Sequence, residues 1–489
     1  MPTRLLRVLR ASSPGGWHLQ LHETEPGVVE PYAALTYCWG GSQPVLTNKG
    51  NREEHLAGID IETLPNTLQD ALTVTEELGL SFVWVDALCI IQDDDEDKAT
   101  EIARMAPVYR NATIVIGACR ARTVMEGFLG PRLPLGLESP EAVFQMRCRG
   151  LDRQDGSVIL VPETLPSQEP IDERAWTVQE RLLSLRYLEY GTLQTQWFCQ
   201  GVGSDEALVD GFNRQSISNV WKYRGDSLFM ATHSLLRDPK RPFTGDYKPI
   251  DLWEELIIVH THRQLGVLTD RLPSLAGIAP GFAEVMRAKS EEYLCGLWKN
   301  HLPRMLLWEN THGPCTTRPA QFIAPSWSWA TNNVGTQWRT GERGSWERRF
   351  KRQTHESFEF LGSKVQLADE RSPFGAVLSG SLKLKGVLKS AEWNRSGDIP
   401  EFKFAGMSEG TTDLSILEDE EQSESCIPVS FLVVLEAPSH CVEGLVLRQK
   451  DGGRFVRLGT FYYFHERDEG SLAKQLWSQH SEPQVIELV

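Results

Sequence analysis

Between residues 31 and 119, short apolar runs alternate with segments of helical period, and this alternation limits the possible folds more than any other feature of the chain. Tyr32-Ala-Ala-Leu-Thr-Tyr-Cys-Trp39 is apolar and stops at Gly40 and Gly41, the punctuation of a buried strand leaving a sheet. Pro65 and Asn66 open a segment with Leu68, Ala71, Leu72 and Leu78 on one face, and Gly79 closes it, so a helix is expected there. Phe82-Val-Trp-Val-Asp-Ala-Leu-Cys-Ile-Ile91 reads as a second strand covered on both faces, with Asp86 its only charge. A buried Asp needs a partner or a purpose, and both an anchoring and a functional role are open to it. A helix over about residues 94–109 has Ala99, Ile102, Ala103 and Ala106 on one side, and Thr113-Ile-Val-Ile-Gly-Ala-Cys119 supplies a third strand. Strand–helix–strand–helix–strand predicts an α/β fold, a parallel sheet flanked by helices with right-handed crossovers. Ligands of such sheets bind beyond the carboxyl ends of the strands, where Trp39, Gly40, Asp86 and the residues after Cys119 fall.

Residues 120–170 break into stretches bearing Gly and Pro, with short strands expected at 143–146 and 158–161, and read as an insertion covering one end of the sheet. The segment Arg174-Ala-Trp-Thr-Val-Gln-Glu-Arg-Leu-Leu-Ser-Leu-Arg186 then places Trp176 and Glu180 on one helical face. A carboxylate beside an aromatic ring is partly desolvated and suits a cationic intermediate. An ordinary amphipathic helix, with Glu180 solvated or paired with Arg181 or Arg186, fits the same letters. Residues 187–190 and 193–199 read as two further strands. Helix-like pieces at 251–259 and 282–298 follow, and Trp327 and Trp329 alternate like core strand residues. The runs at 383–388, 430–435, 444–447 and 457–464 suggest a small antiparallel domain. The expected organisation is an α/β domain over residues 1–204, a helical region over 205–320 packing on it, and a β-rich accessory domain over 321–489.

Charge and composition exclude several classes. Lys and Arg total 50 against 66 Asp and Glu, a net charge of −16 that opposes nucleic acid and anionic lipid. No membrane-length apolar run or cleavable leader is found, so a cytoplasmic protein is expected. The nine cysteines form no Cys-x-x-Cys pair and suit buried thiols in a reducing compartment. His260 and His262, with Glu254 and Glu255 nearby, match no metal-binding signature, and no metal site is expected. Asp93-Asp-Asp-Glu-Asp97 reads as an acidic helix start, and Glu418-Asp-Glu-Glu-Gln-Ser-Glu424 as a solvated loop. No phosphate-binding loop, dinucleotide fingerprint, nucleophile elbow or zincin motif occurs.

Four ordered blocks, Tyr37-Cys-Trp-Gly40, Leu64-Pro-Asn-Thr67, Trp84-Val-Asp-Ala-Leu-Cys-Ile-Ile-Gln92 and Arg174-Ala-Trp-Thr-Val-Gln-Glu-Arg-Leu-Leu-Ser184, resemble the heterokaryon incompatibility (HET) domain of filamentous fungi. The resemblance covers about residues 30–200. It implies self/non-self recognition with cell death as output, a fungal form of innate immunity, and a distant kinship with TIR domains, hence a TIR-like or flavodoxin-like sheet. Some TIR domains hydrolyse NAD with a glutamate four residues after a tryptophan in a Trp-Cys-x-x-Glu motif. Trp176 and Glu180 keep that spacing, with Thr177 at the cysteine position.

By this resemblance Glu180 is the catalytic residue, and NAD or a related nucleotide is substrate rather than cofactor. The leaving nicotinamide is cationic in NAD and departs neutral, so the general acid of ordinary glycosidases can be omitted and one carboxylate can serve. Trp39, Trp84 or Trp176 would offer a stacking face, Arg174 or Arg181 would meet phosphate, and Gly40 and Asp86 would complete the site. Self-association and an unidentified protein trigger are the implied partners. The competing reading is a non-catalytic module that signals by assembly, in which Glu180 is structural.

Overall fold

The structure, a computed structural model, describes residues 1–10, 17–131, 144–149, 155–160, 169–192, 195–199, 207–208, 232, 235–236, 248–311, 319, 321–338, 353–394, 401–404, 415–419, 426–437, 441–464 and 481–489. The chain divides into two compact units, Met1–Asp238 and Pro239–Val489.

The first unit is built on a mixed sheet. Its strands are β1 (Arg4–Arg10), β2 (Trp17–Glu23), β3 (Ala33–Thr36), β4 (Phe82–Trp84), β5 (Ile114–Gly117), and, after the two-stranded hairpin β6 (Phe144–Arg149) and β7 (Asp155–Leu160), β8 (Arg186–Tyr190), β9 (Thr195–Cys199) and β10 (Ala207–Leu208). Among the described residues eight strands pair in the order β10-β9-β8-β5-β3-β4-β1-β2. β3 runs parallel to both β4 and β5, with Ala33 opposite Val83 and Ile114, and β5 runs parallel to β8. The expected parallel core is therefore present. The sheet as a whole is not parallel: β1 and β2 add antiparallel beside β4, and β9 and β10 beside β8. Short connections allow only antiparallel neighbours, whereas parallel neighbours need a crossover.

The parallel strands stand in the order β4-β3-β5-β8, which is how a flavodoxin-like sheet places its first four. The chain leaves β3 toward one side through α1 (Arg52–Ala57) and α2 (Asn66–Glu77), and after β4 returns to the other side through α3 (Asp86–Cys89), α4 (Asp95–Ala103) and α5 (Met105–Asn111). The strand order thus reverses at β3, and a crevice is expected beyond its carboxyl end.

Three local features differ from the sequence reading. The apolar run at 82–91 is strand only to Trp84. Asp86 then starts a one-turn helix, its Oδ1 accepting the Ala87 N–H at 2.7 Å, because a continuous apolar run does not by itself distinguish strand from buried helix. The 94–109 helix is two helices meeting at Arg104; the acidic start stands, with Asp94 accepting the N–H groups of Glu96 and Asp97. The β1–β2 hairpin was not anticipated, because Arg4, Arg7 and Arg10 interrupt its apolar residues. Leu5, Leu6, Leu19 and Leu21 are nonetheless buried, and Arg4 donates to Asp97 at 2.6 Å. The strands expected near 143–146 and 158–161 are β6 and β7; residues 132–143, 150–154 and 161–168 of the expected insertion lie outside the described residues.

The second unit has helix Pro249–Thr261, whose Trp253 packs edge-on against Trp298 with centroids 5.6 Å apart. The helical piece expected at 282–298 ends at Met286. It gives way to a hairpin of Tyr293–Leu294 and Leu297–Trp298, turned by positive φ at Cys295 and Gly296. Trp327 and Trp329 are fully buried as expected, but in a turn and a 3-10 helix rather than a strand. Three of the four expected β runs lie in Cys426–Ala437, Cys441–Gln449 and Phe455–Phe464, and the fourth, 383–388, spans the end of Val377–Gly386 and the start of Leu388–Asn394; among the described residues these belong to a large sheet that is antiparallel except at one parallel pair, Phe455 with Leu488.

The acidic stretch is not simply a solvated loop. Glu418 ends strand Ser415–Glu418, and Asp419 is buried and takes two bonds from Arg457, at 2.7 and 3.0 Å; residues 420–425 lie outside the described residues. Arg457 is itself fully buried, stacks 3.5 Å from the Trp308 ring centroid, and needs a counter-charge. Replacing Asp419 with Ala is expected to destabilise this unit by about 3–5 kcal/mol, because it strands a buried guanidinium. Urea unfolding of the variant checks this, and unchanged stability contradicts it.

Candidate functional site

The carboxyl ends of β3 and β4 and the start of α6 (Trp176–Leu183) meet in a cluster of charged and hydroxyl groups. Thr36, the last residue of β3, donates its hydroxyl to Glu180 Oε2 in a short bond. Tyr109, at the end of α5, reaches the same carboxylate and donates to the Leu35 carbonyl at 3.1 Å. Beyond β4, Asp86 Oδ2 accepts the Trp39 indole N–H at 2.9 Å. The Tyr37 hydroxyl faces Asp86 but lies off hydrogen-bond geometry. Arg174, two residues before α6, donates to the Tyr37 carbonyl and interacts with both carboxylates.

Local bonds aim Arg174 at this place. The Ile171 N–H bonds the Cys119 carbonyl, two residues past β5, at 3.3 Å. Thr177, buried, donates its hydroxyl to the carbonyls of Ile171 at 3.0 Å and Arg174 at 2.7 Å, tightening the turn into α6. Thr177 therefore packs inward and closes the turn that leads into α6.

Burial dominates the electrostatics. Glu180 is only 3% exposed, and loss of water pushes its carboxyl up to about 7; Arg174 and the Thr36 hydroxyl oppose the rise, and the neighbouring charge of Asp86 adds to it. Burial likewise raises Asp86, against the lowering by Arg174, Trp39 and the Ala87 N–H. Asp86 keeps part of its surface exposed, so solvent screens some of that effect. Burial works against the charge on Arg174, which like Asp86 keeps part of its surface exposed, but Glu180 and Asp86 outweigh it and hold the guanidinium protonated.

Of the residues singled out from sequence, Glu180, Asp86, Arg174 and Trp39 come together. Gly40 follows Trp39 with φ +67°, and a Cβ there would lie 2.5 Å from Thr123, so the loop after β3 lies directly on the loop after β5. Trp176 and Trp39 are half-buried against the same core. Trp84 is fully buried, edge-on to Tyr109 with centroids 5.6 Å apart, and has no ring face open to a ligand. Arg181 serves another cluster: it pairs with Glu189 at 3.3 Å and lies 5.0 Å from the Phe198 ring centroid. Arg186 bonds the Thr113 carbonyl. Glu180 is thus neither solvated nor described as paired with Arg181 or Arg186.

Thr36, Tyr37 and Tyr109 were not assigned roles from sequence. Tyr37 lies inside a motif block, and Thr36 is the one aliphatic hydroxyl of its apolar run, but nothing in the letters aims Tyr109 at this place. His260 is buried with Nε2 2.6 Å from the Ser274 hydroxyl, and His262 Nδ1 is 2.7 Å from the Ile258 carbonyl. Among the described residues no cluster of three or more His, Cys, Asp and Glu side chains is placed to hold a metal ion, and no helix is long and apolar enough to cross a membrane. A cavity of about 950 Å³ belongs to the second unit, with Phe322, Lys364, Lys450 and Arg454 in its lining, and none of the Glu180 cluster contributes to it.

The first unit is thus an α/β domain with two carboxylates and an arginine clustered at the carboxyl ends of its parallel strands. Residues 32–180 match the family described as heterokaryon incompatibility protein (HET), and the chain carries a HET domain. No curated protein and no solved structure matches the chain.

A carboxyl raised from the model-peptide value of 4.5 to about 7 binds its proton more tightly in the folded state. Its stabilising contribution is full below the unfolded pKa and is lost as pH rises through about 7, an effect on the order of 3 kcal/mol. Glu180→Gln removes this titration. The melting temperature of the variant is expected to gain on that of the parent between pH 5 and 8; parallel pH profiles contradict the assignment.

Proposed function

We propose that the chain is a heterokaryon-incompatibility-type recognition protein and cell-death effector whose Glu180 centre cleaves NAD to nicotinamide and ADP-ribose in the manner of catalytic TIR domains. The observation that carries this reading is the placement of Glu180 with Asp86 and Trp39 at the carboxyl ends of β3 and β4, beside the point where the strand order reverses. In the reaction the bond between ribose C1′ and the nicotinamide nitrogen breaks, and its electron pair leaves with the now neutral nicotinamide. Water adds to C1′ and gives up a proton to solvent. Ionised Glu180 stabilises the cationic sugar, and Trp39 and Trp176 are the rings that can be brought against the nucleotide.

With Glu180 almost fully buried, the form described is closed. Self-association or a protein trigger would open it. The same burial against Arg174 favours a second reading, a non-catalytic module that signals by assembly alone.

Following nicotinamide release from NAD by the full chain separates the two. The catalytic reading expects turnover that rises with pH through about 7 as Glu180 ionises. It expects a loss of about 100- to 1000-fold, or about 3–4 kcal/mol, in a folded Glu180→Gln variant. Near-parent turnover by that variant removes Glu180 from catalysis. Undiminished killing of overexpressing cells by a protein that releases no nicotinamide establishes the assembly reading.

A further inference from the structure

Among the described residues, Arg174 is the cation that acts on both Glu180 and Asp86. With both carboxylates ionised the cluster is one positive charge short. The other titratable groups facing Glu180, Tyr37, Tyr109 and Cys38, are neutral or anionic and supply no positive charge; burial pushes the two phenols far above their ordinary range and Cys38 up to about 11, so all three are neutral near pH 7 and do not deepen the shortfall. Arg174 is also held by the Tyr37 carbonyl, an uncharged acceptor in the segment just past β3. Its guanidinium is flat and delocalised, with a π face and a positive charge. Trp39 lies alongside, its indole N–H on Asp86. The centre therefore combines two acids, a carbonyl and an indole around one flat cation.

We propose that the Arg174 guanidinium holds the place of the substrate's pyridinium ring, so that the site selects the positively charged, oxidised nicotinamide over its neutral reduced form, and Arg174 must leave before that ring enters. This rests on the reading of the centre as a site of NAD cleavage and adds to it a specificity-determining residue and a reason why the closed form is inactive. Two cations cannot both serve as counter-charge to the same pair of carboxylates, so Arg174 and the ring compete. A neutral dihydronicotinamide gains nothing from the two acids and would leave them short of charge.

The test is calorimetric titration of the full chain at pH 8 with 1-methylnicotinamide, a cation, and with nicotinamide, its neutral counterpart. Arg174→Gln is expected to bind the cation about tenfold or more tightly than the parent does, with nicotinamide unchanged, because a competing charge has been removed. Arg174→Lys, which keeps the charge, should resemble the parent, and adding Glu180→Gln to Arg174→Gln should reverse the gain. In turnover, Arg174→Gln should lower KM for NAD more than it changes kcat. No gain in cation affinity, or an equal gain for nicotinamide, overturns the inference whether or not NAD is cleaved. A cation-specific gain in a protein that does not cleave NAD leaves this inference standing and counts against the proposed function. If Arg174→Gln does not fold, the parent decides: its affinity for 1-methylnicotinamide should rise between pH 6 and 8 as Glu180 gives up its proton, and a flat profile overturns the proposal.

Discussion

One guanidinium shared by two carboxylates joins three parts of the first unit that are far apart in sequence. Through Arg174, the segment entering α6 is fixed to the end of β3 by the Tyr37 carbonyl and to the start of α3 by Asp86, while Thr36 secures Glu180 from the sheet side. A partly buried charge cluster of this kind adds little net stability compared with an apolar packing of the same shape, but removing Arg174 would leave Glu180 buried without its counter-charge. Its consequence here is positional: few placements of α6 on the sheet can satisfy all of these groups together. The price of the arrangement is a carboxyl held near neutrality instead of its ordinary acidic range.

The location of this cluster links architecture to chemistry. Because β4 and β5 flank β3 on opposite sides, the loops beyond their carboxyl ends diverge, and open α/β sheets place ligands there. In this form the opening is occupied from within. Gly40 allows the loop after β3 to lie against Thr123, and Arg174 sits among the acids. Under the proposed function, a centre whose activity is lethal has reason to stay closed at rest. A charge cluster that is one cation short is a natural point for opening to be coupled to ligand entry.

Much of this was legible in the sequence. The parallel core followed from alternating periods, and the four motif blocks located Trp39, Asp86, Arg174 and Glu180, which the fold gathers. What the letters did not carry was competition between partners. Arg174, Arg181 and Arg186 all flank Glu180 in sequence, but Arg181 is drawn to Glu189 and Arg186 to a backbone carbonyl, so Arg174 meets the cluster. Trp84 and Trp39 look alike as aromatic residues near strand ends, and only packing shows that one is sealed in the core while the other keeps its indole on Asp86. The β1–β2 hairpin was obscured because Arg4, although charged, is an inward residue whose counter-charge, Asp97, lies on a distant helix. In the second unit, Asp419 reads as one acid among several until Arg457 is seen beneath it.

The central claim is that Glu180 belongs to a coupled, buried cluster and is not an ordinary helix glutamate. Its side-chain carboxyl carbon, followed by NMR across a pH titration of the folded chain, tests this most directly. A midpoint near 7 is expected, moving down when Asp86 is replaced by Asn, since a like charge has been removed. A midpoint in the ordinary glutamate range near 4.3, indifferent to the change at Asp86, would contradict it.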